Sequence, residues 1–99
     1  MTKVYIVDDH DDLRFALKYR LKRKCRTTTI AGESPTAEKA LSEIPNLNPE
    51  IVLTDITLPD MNGIELVRRL RNQCPDTFIM VVTGHEIERY RAEAMNAGA

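Results

Sequence analysis

The chain is poor in several features that would each point to a function. Its two cysteines, Cys25 and Cys74, stand far apart. That argues against a disulfide framework, and no cysteine–histidine spacing suits zinc, so both thiols are expected to be bystanders. The glycines are Gly32, Gly63, Gly84 and Gly98. None falls into a GxGxxG turn or a P-loop, which argues against a built-in nucleotide site. No apolar run approaches the roughly 18 residues of a membrane span. The N-terminus enters a strand-like segment, Lys3 to Val7, without a charged leader and long apolar stretch, so no signal peptide is expected. Neither sign of charge dominates, with 14 basic against 15 acidic residues. That balance argues against a nucleic-acid or membrane surface as the main business of the segment. No repeat, low-complexity tract or linker interrupts the chain. The expectation is a single cytoplasmic domain of 99 residues, a length that buries one core with little margin.

What is present is an alternation of two patterns. Val4-Tyr5-Ile6-Val7, Thr28-Thr29-Ile30-Ala31, Ile51-Val52-Leu53 and Phe78-Ile79-Met80-Val81-Val82 are short, mostly β-branched or apolar runs. Three lack polar alternation, as expected of strands buried on both faces of a parallel sheet. The threonine-rich second run reads as an edge strand. Between the runs lie stripes of helical period: Leu13, Ala16, Leu17 and Leu21; Ala37, Ala40, Leu41 and Ile44; Gly63, Leu66, Val67 and Leu70; Ile87, Tyr90 and Ala94. Ser34 is the expected N-cap of the second helix, with Pro35 at its first position. Asn62 is the candidate cap of the third. Glu86 and Glu88 suit the first turn of the fourth, and Asn96-Ala97-Gly98 reads as its stop. The order βαβαβαβα predicts an α/β fold, a doubly wound parallel sheet with helices on both faces.

In such sheets ligands sit beyond the carboxyl ends of the strands, where strand order reverses. Past the first strand stand Asp8 and Asp9, past the third Asp55, past the fourth Thr83, and past the second Gly32 and Glu33. With strand order 2-1-3-4, Asp8, Asp9 and Asp55 converge, with Thr83 beside them. Two unit charges about 4 Å apart repel by roughly 4 kcal/mol at a surface-like effective dielectric. Either one carboxylate takes a proton or a cation enters. Hard oxygen ligands open to water suit Mg²⁺, which commonly also binds a phosphate. A carboxylate can itself accept a phosphoryl group. Each residue also has a plainer reading. Asp8 and Asp9 could cap the first helix, though Asp11 and Asp12 are equally placed. Asp55 could be a turn acid, and Thr83 a cap of the fourth helix. Their convergence favours chemistry.

These residues form an ordered set along the chain: Val7-Asp8-Asp9, then Asp55-Ile56-Thr57-Leu58-Pro59-Asp60-Met61-Asn62-Gly63, then Val82-Thr83-Gly84, then Ala97-Gly98-Ala99. On this set the chain resembles the receiver domain of bacterial two-component response regulators, a flavodoxin-like fold and a signalling switch rather than an enzyme. The resemblance implies that Asp55 accepts a phosphoryl group from the phosphohistidine of a histidine kinase or phosphotransfer protein. It implies Mg²⁺ held directly by Asp9, Asp55 and the backbone carbonyl of Thr57, and through water by Asp8. Thr83 would hydrogen-bond the bound phosphoryl group and Gly84 would leave room for it. Pro59 and Gly63 would shape the loop. His85 lies where the family tunes phosphoryl lifetime, although a plain surface histidine is the alternative. The family pattern continues with a fifth strand, a lysine at its end, an aromatic switch residue and a fifth helix. The expectation is therefore a receiver domain over residues 1–99 without its C-terminal strand and helix. No residue takes the lysine role, and the fourth strand is an open edge at which a second copy could pair. DNA would be reached only through an output domain outside this chain.

Two further functions compete. A degenerate receiver would be a non-phosphorylated interaction module. An Mg²⁺-dependent aspartyl phosphohydrolase would want a second acid two residues after its nucleophile, where this chain has Thr57. The basic run Lys18, Arg20, Lys22, Arg23, Lys24 and Arg26 reads as a solvated helix end, because cations suit a helix C-terminus and no aromatics interleave for base stacking. A docking face for a kinase is its second reading. His10 is expected to start the first helix, and Tyr90 to pack in the core.

Overall fold

Parallel strand pairing and helical crossovers build the protein in the order that the alternating patterns predict. The computed structural model describes residues 2–24 and 27–82. They run β1 (Thr2–Val7), α1 (Asp11–Lys24), β2 (Thr28–Ser34), α2 (Ala37–Leu47), β3 (Ile51–Thr54), α3 (Gly63–Gln73) and β4 (Phe78–Val81). All strand pairs are parallel, in the order β2-β1-β3-β4. The threonine-rich strand is at the edge, as expected. The expected fourth helix, with Ile87, Tyr90 and Ala94, lies outside the described residues. No described helix is long and apolar enough to cross a membrane.

The sheet separates two apolar clusters. Tyr5, Val7, Val52 and Ile79 pack with Ala37, Ala40 and Ile44 of α2 and Leu66, Val67 and Leu70 of α3. Cys74 is buried in the same cluster as a free thiol. Val4, Ile6 and Leu53 face the other way and meet Leu17 and Leu21 of α1. This alternation along β1 and β3 places both strands under cover on both faces, which is why their sequences are continuously apolar.

Several expectations need correction. β2 does not end at Ala31 but continues to Ser34, so Gly32 and Glu33 lie within the strand. Its register slips between Val4↔Ile30 and Tyr5↔Gly32, leaving Ala31 as a bulge. The ladder then continues along the carboxyl half of β1, and pairing overrides the polar sequence. A Cβ on Gly32 would come within 2.8 Å of the Tyr5 ring, so the glycine lets that ring lie close to the strand. Ser34, held in this ladder, is not the cap of α2. The cap is Thr36, whose side chain accepts from the Lys39 N–H at 3.3 Å. Pro35 belongs to the turn, where Ser34 Oγ accepts from the Thr36 N–H. Asn62 does cap α3, accepting from the Ile64 N–H at 2.8 Å.

The α1 stripe is only half turned inward. Leu17 and Leu21 pack on the sheet, whereas Leu13 and Ala16 are exposed and no residue of α1 is fully buried. The Arg14 side chain takes the inner position instead, donating to the Asp8 carbonyl and pairing with Asp11 and Glu33. β4 was expected to be buried on both faces, but it alternates. Ile79 is buried, while Phe78 and Met80 are 58% and 47% exposed. β4 is an edge of the described sheet, and the cluster that α1 joins on that face draws its strand residues from β1, β2 and β3. The basic run is also not free of aromatics. Tyr19 lies within it, more than half exposed, stacked on Phe15 and under the Arg23 guanidinium.

Candidate functional site

Val7 and Thr54 are ladder partners on the two central strands. The residues after them therefore leave the sheet side by side. The Asp55 N–H donates to the Val7 carbonyl at 2.9 Å, and the Asp8 N–H to the Ser34 carbonyl at 3.0 Å. Arg14 holds the Asp8 carbonyl from the other side. These bonds fix the backbone from which the carboxylates project. One ligand atom each of Asp8, Asp9, His10 and Asp55 lies within 4.8 Å of the others. Asp8 is buried, Asp55 half-buried, and Asp9 and His10 open the cluster to water.

The crowding has electrostatic consequences. Burial pushes the Asp55 carboxyl above its usual value of 3.8, and the charges of Asp8 and Asp9 add to that push. The backbone N–H groups of Thr57 and Ile56 partly oppose it. His10 is pulled up, first by its hydrogen bond to Asp8 and then by the charge of Asp9. His10 does start α1, since the Arg14 N–H donates to its carbonyl at 3.0 Å. The sequence reading missed its second place, in the cluster. Its Nδ1 stands 3.1 Å from both Asp8 Oδ1 and Asp9 Oδ1. A histidine directly behind an acidic pair at a strand end was the available signal. Three carboxylates with water access are a hard, anionic donor set, and that set fits Mg²⁺.

The segment after Asp55 folds back tightly. Thr57 bridges to Asn62, and the Gly63 N–H donates to the Ile56 carbonyl at 2.6 Å. Buried Ile56 and Leu58 anchor the loop, while Thr57, Pro59 and Asp60 are exposed. The Thr57 N–H faces Asp55 Oδ1 at 3.4 Å. Gly63 stands where a Cβ would meet the Asp55 carbonyl oxygen at 2.3 Å and the Ile56 backbone at 2.6 Å.

Asp60 had no assigned role in the sequence. In the fold its carboxylate accepts from the Ala37 and Glu38 N–H groups, at 2.9 and 2.8 Å, and so caps α2 from the β3–α3 loop. Burial works to raise this carboxyl, but the two N–H donors outweigh it and hold it below the usual 3.8. A depressed folded-state pKa means the cap stabilises above the unfolded value and is lost as pH falls through the folded one. Asp60→Ala is therefore expected to cost about 1 kcal/mol at neutral pH. Urea melts should show the deficit undiminished at pH 7 and shrinking as the pH is taken below the usual carboxylate value.

Thr83, Gly84 and His85 lie outside the described residues. The last described link toward them is the Val82 N–H, which donates to the Thr54 carbonyl at 2.8 Å, beside Asp55.

The family model described as "Response regulator receiver domain" matches residues 4–99. The DNA-binding transcriptional activator DevR/DosR of Mycobacterium tuberculosis is 33% identical over 99 residues, covering 100% of this chain and 45% of the relative. The uncharacterized transcriptional regulatory protein YhcZ of Bacillus subtilis is 33% identical over 97 residues, 98% of this chain and 45% of the relative. The chain thus spans about half the length of these curated relatives. A solved two-component response regulator of the LuxR family from Aurantimonas is 30% identical, with a TM-score of 0.90 over 100% of this chain and 71% of that one.

Proposed function

The chain belongs to the response regulator receiver domain family, and from that membership we propose that it is a phosphoacceptor switch whose acceptor is Asp55. Receiver domains of two-component response regulators carry signals and are not enzymes. The observation that carries this reading is the convergence of Asp8, Asp9 and Asp55 at the ends of the two central strands. The donor is the phosphohistidine of a histidine kinase or a phosphotransfer protein in the cytoplasm. A carboxylate oxygen of Asp55 attacks phosphorus, an oxygen–phosphorus bond forms, and the phosphorus–nitrogen bond breaks with its electron pair returning to the donor imidazole.

Asp9, Asp55 and the Thr57 carbonyl would hold Mg²⁺, with Asp8 acting through water, and the ion when bound would supply positive charge to the phosphoryl oxygens. The backbone bonds to Val7 and Ser34 hold the acids in place before the donor arrives. Pro59 and Gly63 shape the loop around the acceptor. Thr83 donates a hydrogen bond to the phosphoryl group, Gly84 leaves space for it, and His85 tunes its lifetime. The dianionic product then biases the loop between two arrangements. Both curated relatives carry names of transcriptional regulators, so the output of the whole protein is control of transcription through a DNA-binding part beyond this chain.

Intact mass spectrometry tests the reading. Incubation with acetyl phosphate and Mg²⁺ is expected to add one phosphoryl group, and peptide mapping should place it on Asp55. No uptake, or uptake at another residue, would sink the assignment and favour the inert interaction module.

A further inference from the structure

We infer that His10 is a ligand of the acidic site, which therefore takes a borderline divalent cation such as Co²⁺ or Ni²⁺ far more tightly than Mg²⁺. The inference rests on the metal-binding part of the reading above and adds a nitrogen donor to it. The placement of His10 is imposed by its neighbours. Its backbone N–H donates to Asp8 Oδ1 at 2.8 Å, and its carbonyl accepts the first hydrogen bond of α1 from Arg14. With the backbone held at both ends, the ring stands over the acids. Nδ1 is equidistant, at 3.1 Å, from an oxygen of Asp8 and an oxygen of Asp9. A nitrogen shared between two carboxylates is placed where it and they can bond one cation in common. Its ligand atom, with one from each acid, lies in a set no more than 4.8 Å across. A cation about 2.1 Å from each atom spans such a set with small side-chain rotations.

The donor chemistry then separates the metals. Mg²⁺ prefers oxygen and keeps its waters, so an imidazole adds little to its binding. Co²⁺ and Ni²⁺ bind imidazole nitrogen well, and they stand high in the divalent affinity order. The side chain of His10 is 66% exposed, so the ring can turn and the ion can enter from solvent. An ion held this way occupies the place of Mg²⁺ and competes with it.

Isothermal titration of the full chain at pH 8 with MgCl₂ and separately with CoCl₂ tests this, comparing the wild type with His10→Ala and His10→Asn. The asparagine variant keeps a side chain able to cap α1, so a lost affinity in both variants is not a lost helix. Both are expected to weaken Co²⁺ binding by about tenfold or more and Mg²⁺ binding by less than about threefold. Unchanged Co²⁺ affinity, or equal loss for both ions, overturns the inference and leaves the Mg²⁺ site standing. Absence of Mg²⁺ binding, with Co²⁺ binding still lost in both variants, overturns the metal part of the phosphoacceptor reading and upholds the ligand.

Discussion

Asp55→Asn is expected to abolish phosphoryl uptake and, in EDTA, to make the folded protein more stable. The first effect is complete because the amide cannot serve as the acceptor that the carboxylate is. The second follows from the setting. Asp55 is half-buried, and both its burial and the charges of Asp8 and Asp9 raise its carboxyl above 3.8. A folded-state pKa above the unfolded one means no penalty below the unfolded value. The penalty grows as pH rises through the folded value. Removing the charge lifts it. Solvent access discounts the gain to about 1 kcal/mol, which for a domain of this size raises Tm by about 4–8 °C. Mg²⁺ should raise Tm of the wild type and do little for the variant. Thermal melts in EDTA and in Mg²⁺ give the check, paired with intact mass after acetyl phosphate. A variant less stable than the wild type in EDTA would remove the electrostatic account of the site.

Gly63→Ala is expected to destabilise the protein by about 3 kcal/mol or more. The added methyl would meet the Asp55 carbonyl oxygen, the Ile56 Cα and the Ile56 carbonyl oxygen at 2.3, 2.6 and 2.8 Å. All three are backbone atoms, so no rotamer change relieves the contact. The bond from the Gly63 N–H to the Ile56 carbonyl would stretch with it. Domains of this kind have only about 5–15 kcal/mol in hand, so the loss is a large share. Gly32→Ala is the control. Its methyl would approach Tyr5 ring atoms and Leu47 Cδ1, at 2.8 to 3.2 Å, and side chains can move. Urea unfolding should show the larger shift for Gly63→Ala. In whatever fraction remains folded, phosphoryl uptake should also fall, because the displaced backbone is the backbone of Asp55.

The two variants probe one loop whose ends were legible in different degrees. Asn62 as the cap of α3 and the apolar stripe of α3 could be read locally, since caps and helical periods involve residues three or four apart. The central strands were legible for the same reason, and alternation of strand and helix implied a parallel sheet, while the 2-1-3-4 order that brings Asp8 and Asp55 together came with the resemblance to receiver domains and is the order observed. The length of β2 was not legible, because Gly32, Glu33 and Ser34 have no strand propensity of their own and pair only because β1 offers a ladder. Leu13 was misread because periodicity cannot tell that Arg14 would win the inner position through Asp8, Asp11 and Glu33. The stacked Phe15 and Tyr19, with Arg23 above, were passed over because charge dominated the reading of that run.

By itself, then, the sequence determined the kind of fold, the strand ends that carry acids, and Asp55 as the residue to which the chemistry points. Those follow from patterns of short range and from the handedness of parallel crossovers. Tertiary structure alone decided that His10 shares oxygens with Asp8 and Asp9, that Asp60 reaches back to cap α2, and that Gly63 must lack a side chain. Asp60 depends on how loops from separate strands come to rest against one another, whereas His10 and Gly63 depend on how a single loop folds back on itself, a geometry that helical or strand periodicity does not encode.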